Sequence, residues 1–171
     1  YLSFLADTDR AYLATIKAAV RDAIPRRSVP ITGTQVDFGG LLNLDSHADM
    51  DYLDNHFYVD HPNYANSSVP DATDWRIRNT SGVGSGLPGL QSMAASREIG
   101  RPYTVSEYNQ PFPNAQGAEI LPVVSAFAAF QNWDAVIFFT YESHRMYWDS
   151  NAARGFNLNP EPNKVAQVGQ A

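Results

Sequence analysis

Apolar residues recur at near-helical spacing from the start of the chain. Leu5, Tyr12, Leu13, Ile16, Ala19, Val20 and Ile24 predict a helix over residues 4–24, with Asp7, Thr8 and Asp9 as candidate N-caps and Pro25 as its stop. Val29–Thr34 is a short β-branched run and reads as a buried strand. A loop at Phe38-Gly-Gly-Leu-Leu-Asn leads toward a short helix. Asp51–Val59 mixes Leu53, Phe57 and Val59 with Asp54, His56 and Tyr58, a second strand, and the polar stretch from Asp60 to Ser68 is the loop after it. The segment from Trp75 to Gly86 reads as an excursion without regular structure, its glycine run as a flexible loop. Leu90–Ile99 predicts a helix closed by Gly100, Pro102–Ser106 a third strand, Gly117–Asn132 an apolar helix, and Ala135–Thr140 a fourth strand, apolar on both faces. The stretch from Asn159 to Val168 has the cap and first turn of one more helix, cut short.

Short hydrophobic strands alternating with helices or loops predict an α/β chain with a parallel sheet. No internal repeat or low-complexity linker interrupts it. At 171 residues the chain has the length of one domain, residues 1–171.

Charge and composition narrow the chemistry. The net charge of −6 and the absence of basic runs, Arg26–Arg27 being the tightest pair, argue against nucleic acid and anionic membranes as partners. No stretch reaches the length of a membrane span, and the first residues do not read as a signal peptide; they begin inside an apolar pattern, as in a piece of a larger protein. Cysteine is absent, which excludes disulfides, thiolate catalysis and Cys-based zinc sites and leaves the compartment open, with a secreted or periplasmic one favoured. Asn66 and Asn79 begin short glycosylation-type sequons that also arise by chance. Aromatic residues make up 12%, which suits stacking on flat apolar faces such as sugar rings.

The most informative stretch is RPYTVSEYNQPFPN, residues 101–114. It places a carboxylate, Glu107, at the tip of a strand that Asn109, Pro111 and Pro113 then stop. A carboxylate held there serves as nucleophile or general base. A surface Glu at a turn would have the same local sequence. His56 and Tyr58, two apart on a strand, point to one side and are able to face the same cleft, or to be a buried, satisfied pair. Phe139, Thr140, Tyr141, Glu142, His144 and Trp148 cluster after the last strand, where aromatics floor a sugar site or close a hydrophobic rim.

Other chemistries fit less well. His47, Asp49, Asp51, Asp54, His56, Asp60 and His61 are dense in one segment, but HExxH, HxH and EF-hand patterns are missing, so no metal and no cofactor is expected. The glycines at 82–86 follow no strand and open no helix, unlike a dinucleotide fingerprint, and there is no Gly-x-Ser-x-Gly elbow.

The ordered strand ends resemble the second half of a (β/α)8 glycoside hydrolase of the large retaining superfamily, clan A, with its family 5-like cellulases and mannanases and its β-galactosidase relatives. VPITGTQ resembles strand 5; DYLDNHFYVDHP resembles strand 6 with the His–x–Tyr pair at His56 and Tyr58; RPYTVSEYNQPFPN resembles strand 7 and WDAVIFFTYES strand 8. The resemblance implies a partial TIM barrel, strands 5–8 with their helices, in which Glu107 is the nucleophile. It implies substrate contacts from His56, Tyr58, Tyr108, Asn109, Trp133, Phe139 and Tyr141, and a carbohydrate as partner. The family's acid/base Glu follows an Asn on strand 4. No Asn-Glu pair occurs here, so the resemblance implies an acid/base residue outside residues 1–171; Glu119 and Glu142, the other nominees, sit on no separate strand tip. The implied half-barrel needs its N-terminal half, or a second copy of the chain, to close. Two alternatives follow from the residues: a carbohydrate-binding or inactive barrel remnant, and a metal-dependent hydrolase using His47, Asp54, His56 and His61.

Overall fold

The computed structural model describes residues 1–24, 28–65, 75–143 and 153–171. Pro25, Arg26–Arg27, the Asn66 sequon, His144 and Trp148 lie outside the described residues.

Helix α1 spans Leu2–Ala23. It begins ahead of the expected caps: Tyr1 occupies the N-cap without a side-chain bond, and Thr8 donates to the Phe4 carbonyl at 2.7 Å inside the helix. Its buried residues are Ala6 and Leu13, whereas Leu5, Tyr12 and Ile16 of the predicted apolar face are exposed. Ion pairs hold the helix instead, with Arg10 on Asp49 at 2.8 Å and both Lys17 and Arg21 on Asp51 at 2.6 and 2.5 Å. Burial pushes the Asp51 carboxyl up. The bonds from Lys17 and the Ile31 N–H, with the nearby cations, outweigh that and hold it below the usual carboxylate range.

The segment Val29–Thr34 forms no strand. Pro30 has no N–H, and the Ile31 N–H goes to the Asp51 side chain at 2.7 Å rather than to a neighbouring backbone. The segment still runs beside the sheet, through the bond from Asp51 N to Ile31 O at 2.9 Å and from Thr32 Oγ1 to Tyr52 O at 2.8 Å. A 3₁₀ turn at Val36–Gly39 precedes α2, Leu41–Ser46.

Three parallel strands make the main sheet: β1, Leu53–Tyr58; β4, Tyr103–Asn109; and β5, Ala135–Phe138, with β4 in the centre. The short strands β2, Asn63–Tyr64, and β3, Trp75–Arg76, pair antiparallel in the loop between, the only regular pairing in the expected excursion among the described residues. The glycine-rich turn after it is tied down by Glu119, which accepts from Ser81 Oγ at 3.0 Å and from the Gly82 N–H at 2.8 Å.

Helix α3, Leu87–Ala95, and helix α4, Ile120–Gln131, cover one face of the sheet. Helix α3 ends at Ala95, so Gly100 does not close it. Gly100, at φ 85°, makes the turn into β4. Helix α4 ends on Asn132 in the left-handed region. Leu53, Phe57, Leu90, Met93, Tyr103, Val105, Tyr108, Val124 and Trp133 fill the core between helices and sheet. Gly89 lets α3 approach closely, since a Cβ there would stand 2.7 Å from the Phe57 ring.

Among the described residues the other sheet face is open at β5. Ile137 in β5 is 55% exposed, which corrects the expectation of a strand buried on both sides. The last helix, α5, is a single turn at Pro162–Val165 that packs Lys164 fully inside.

Candidate active site

Alternation decides which side chains meet. Leu53, Asn55 and Phe57 of β1 face the helices, so Asp54, His56 and Tyr58 share the open face. In β4, Tyr103 and Val105 face the helices. Strict alternation would send Glu107 after them, but a bulge intervenes: Asn55 pairs with Val105 while His56 pairs with Glu107, so Ser106 is the extra residue. The bulge puts Ser106 and Glu107 on the same side and returns Tyr108 to the core. The strand runs two residues past Glu107 to Asn109, since pairing with β1 continues to Tyr58.

Glu107 therefore stands near the C-terminal end of the central strand, its side chain 34% exposed. Tyr58 donates its hydroxyl to Glu107 Oε2 at 2.6 Å, and His56 Nδ1 lies 3.4 Å from the same oxygen. Burial, then the bond to Glu107 and its charge, push the Tyr58 phenol far above its ordinary range. The phenol is thus a fixed donor. His56 Nε2 lies 3.0 Å from Ser106 Oγ, which donates to Asp54 Oδ2 at 2.5 Å; Asp54 Oδ1 also accepts from Thr104 Oγ1 at 2.5 Å and from the Ser106 N–H at 3.0 Å. A continuous polar ladder thus links Tyr58, Glu107, His56, Ser106, Asp54 and Thr104.

A cleft of about 640 Å³ opens on this group, lined by Gln35, Asp37, His56, Phe57, Tyr58, His61, Gly89, Ser92, Met93, Glu107 and Phe156. Aromatic rings brace Tyr58: His61 at 4.8 Å, Phe156 at 5.1 Å and Phe139 at 6.4 Å between centroids. The volume, apolar walls and convergent polar groups suit a small polar ligand with apolar faces.

Several expected substrate contacts sit elsewhere. Trp133 is a core residue, packed against Tyr103 at 5.5 Å and Phe127 at 6.2 Å. Tyr108 is 4% exposed and packs edge-on against Phe138, on the helix side where the bulge returns it. Asn109 is fully buried and works as a brace: its amide donates to the carbonyls of Phe139 and Phe156, and its oxygen accepts from the Gln110 N–H at 2.7 Å and Lys164 Nζ at 3.1 Å. Phe139 meets the cleft wall through the rings of Tyr58 and Phe156, and Tyr141, 60% exposed, is not among the lining residues.

Of the nominees for a second carboxylate, Glu119 is engaged by the 81–83 turn and Glu142 accepts from Asn157 at 2.7 Å. Asp37 is the carboxylate that shares the cleft lining with Glu107 among the described residues.

The metal grouping is not assembled. His47 is buried with its ring nitrogens 2.7 Å from the Asn43 carbonyl and 2.9 Å from that of Thr34, and among the described residues no cluster of three or more His, Cys, Asp or Glu is arranged to hold an ion. No helix of the described residues is long and apolar enough to cross a membrane.

The pairing of Asp54 with Ser106 leaves no mark in the sequence, though positions 54, 56 and 58 share one strand face by period two. Phe156 and Asp37 gave no local signal, because loops bring them to the cleft.

No protein-family model and no curated protein sequence matches the chain. Among solved structures it is similar to the hyperthermostable endo-1,4-β-D-mannanase of Thermotoga petrophila RKU-1, with a TM-score of 0.59 at 12% identity. The likeness is one of fold. The match covers 96% of this chain and 51% of the mannanase, so the chain spans about half the length of that enzyme. A mixed α/β unit with a three-stranded parallel sheet is consistent with part of a TIM-barrel-like fold.

Proposed function

We propose that the chain is the nucleophile-bearing part of a retaining glycoside hydrolase, corresponding to strands 5–8 of a (β/α)8 barrel. The observation that carries this reading is the Glu107 carboxylate, bonded by Tyr58 and flanked by His56 at the C-terminal end of the central parallel strand, on the wall of a sugar-sized cleft. Catalytic groups of barrel enzymes occupy that end of the strands.

In this mechanism Glu107 attacks the anomeric carbon as the bond to the leaving oxygen breaks. A carboxylic acid roughly 5–5.5 Å away protonates that oxygen. Water then attacks the same carbon, the ester bond to Glu107 breaks, and the acid recovers its proton from the water. Tyr58 and His56 both contact Oε2, which assigns Oε1 to the attack. The acid comes from polypeptide that completes the barrel over the open sheet face, either its N-terminal half or a second copy of the chain. Phe156 and His61, which line the cleft beside Tyr58, stack on the sugar.

An activated 2-deoxy-2-fluoro aryl glycoside tests this directly. Its leaving group departs without protonation, so Glu107 needs no partner acid to be trapped. Peptide mass spectrometry should place the sugar on the segment containing Glu107, and a Glu107→Gln protein should stay unlabelled. Sugar binding without any trapped ester would favour a binding remnant.

A further inference from the structure

We propose that Asp54 is a positioning residue that, acting through Ser106, fixes the proton on the far nitrogen of His56 and leaves the nitrogen facing Glu107 as the one that responds to the nucleophile's charge.

Proton counting carries this. A carboxylate accepts only, and a serine hydroxyl has one hydrogen to give. Ser106 Oγ is 2.5 Å from Asp54 Oδ2, so its hydrogen lies on that bond. The opposite carboxylate oxygen, Oδ1, is occupied by Thr104 and the Ser106 N–H. Towards His56 Nε2, 3.0 Å away, Ser106 is then left only as an acceptor, and Nε2 must bear a hydrogen. The second ring nitrogen, Nδ1, stands 3.4 Å from Glu107 Oε2, an oxygen that already accepts from Tyr58. A neutral ring held in this way turns a lone pair towards the carboxylate, and the contact becomes attractive only when Nδ1 is protonated too. Asp54 is buried; it acts on His56 through Ser106 and also directly, since its Oδ2 lies 3.8 Å from Nε2, and both contacts favour a hydrogen on that nitrogen. The bulge is what makes the path possible, since it sets Ser106 and Glu107 on the same side as Asp54 and His56. The use of this order in turnover rests on the glycoside-hydrolase reading, while the order itself is a property of the folded chain.

The test is ¹⁵N NMR of the histidine rings in the full 171-residue chain, with His56 assigned by its absence in His56→Gln. The neutral form of His56 should carry its hydrogen on Nε2. In Asp54→Asn the new amide donates to Ser106 Oγ, the serine hydrogen swings to His56 Nε2, and the ring hydrogen should move to Nδ1. Ser106→Ala should weaken the preference and shift part of the population to Nδ1, leaving only the direct pull of Asp54 Oδ2, 3.8 Å from Nε2. Thr104→Val, which weakens the hold on Asp54 without reaching the ring, should cost stability and keep the wild-type pattern. A wild-type ring with its hydrogen on Nδ1, or a folded Asp54→Asn protein with an unchanged ring, overturns the proposal. Should Asp54→Asn not fold, an unchanged ring in Ser106→Ala overturns it equally. Failure of the fluoro-sugar trap with the Nε2 pattern intact would remove the hydrolase reading and leave the proton order standing.

Discussion

At the scale of single residues, the site depends on one short contact. The Tyr58 hydroxyl reaches Glu107 at 2.6 Å in a partly buried place, and a hydrogen bond to a charged group contributes about 1.5–3 kcal/mol. Tyr58→Phe keeps the ring among His61, Phe156 and Phe139 and removes only the hydroxyl. If Glu107 is the nucleophile, this variant should lower kcat for an aryl glycoside roughly 10- to 100-fold in the completed enzyme, while Glu107→Gln should lower it by several orders of magnitude. Steady-state kinetics on both variants checks the ranking; equal losses would mean that the phenol does more than hold the carboxylate. His56 and Tyr58 could be paired from their spacing alone. Trp133 could not be placed in this way, because a tryptophan just before a strand has the same local pattern whether it faces a cleft or, as here, packs on Tyr103 in the core.

At the scale of elements, the tip of β4 is held from behind by a buried charge. Lys164 Nζ donates to Asn109 Oδ1 at 3.1 Å, to the Gln110 carbonyl at 2.6 Å and to Glu161 at 2.9 Å, and Asn109 in turn holds the carbonyls of Phe139 and Phe156. Burial pushes the Lys164 ammonium down and the Glu161 carboxyl up, each opposed by its partner. Removing one member of such a pair strands the other, at a cost of about 3–5 kcal/mol. Lys164→Met should therefore lower the urea midpoint sharply, and Lys164→Met with Glu161→Gln should recover much of the loss. A double variant no better than the single would show that the bonds to Asn109 and Gln110, rather than the charge pair, stabilise this corner. The short helix was readable from its proline and cap residues; the burial of its lysine was not, since hydropathy counts a lysine as a surface residue.

Two predictions belong to the whole molecule. Tyr103 is fully buried, with its phenol pushed up to about 12, mainly by burial. Because the folded value lies above the unfolded one near 10, the unfolded state loses its proton first. Stability from this group is complete below about pH 10 and falls as pH rises towards about 12. Denaturant melts at pH 8 and pH 11 should show a smaller alkaline loss in Tyr103→Phe than in wild type. The second prediction concerns the open sheet face. Ile137 is 55% exposed, and covering such a side chain contributes about 1.5–3 kcal/mol. Without a covering half, the chain should self-associate as its concentration rises, and Ile137→Lys should weaken that association by about tenfold or more in sedimentation equilibrium.

Much of the architecture was legible along the chain, because periodicity reports which face of an element is apolar. That was enough to recognise alternating helices and strands, to find the strand that bears Glu107, and to pair His56 with Tyr58. It failed at Val29–Thr34, where a β-branched run gives up its pairing because Asp51, distant in sequence, takes the Ile31 N–H. It failed again on the exposed faces of α1 and β5, since an apolar pattern says that a surface wants cover and not whether cover is present. The direction of Glu107 belongs wholly to the folded state: alternation from Tyr103 and Val105 points it into the core, and only the register of β1 against β4 and β5, with one unmatched serine, turns it to the cleft. Such a bulge is a property of two paired strands, so no single stretch of sequence contains it.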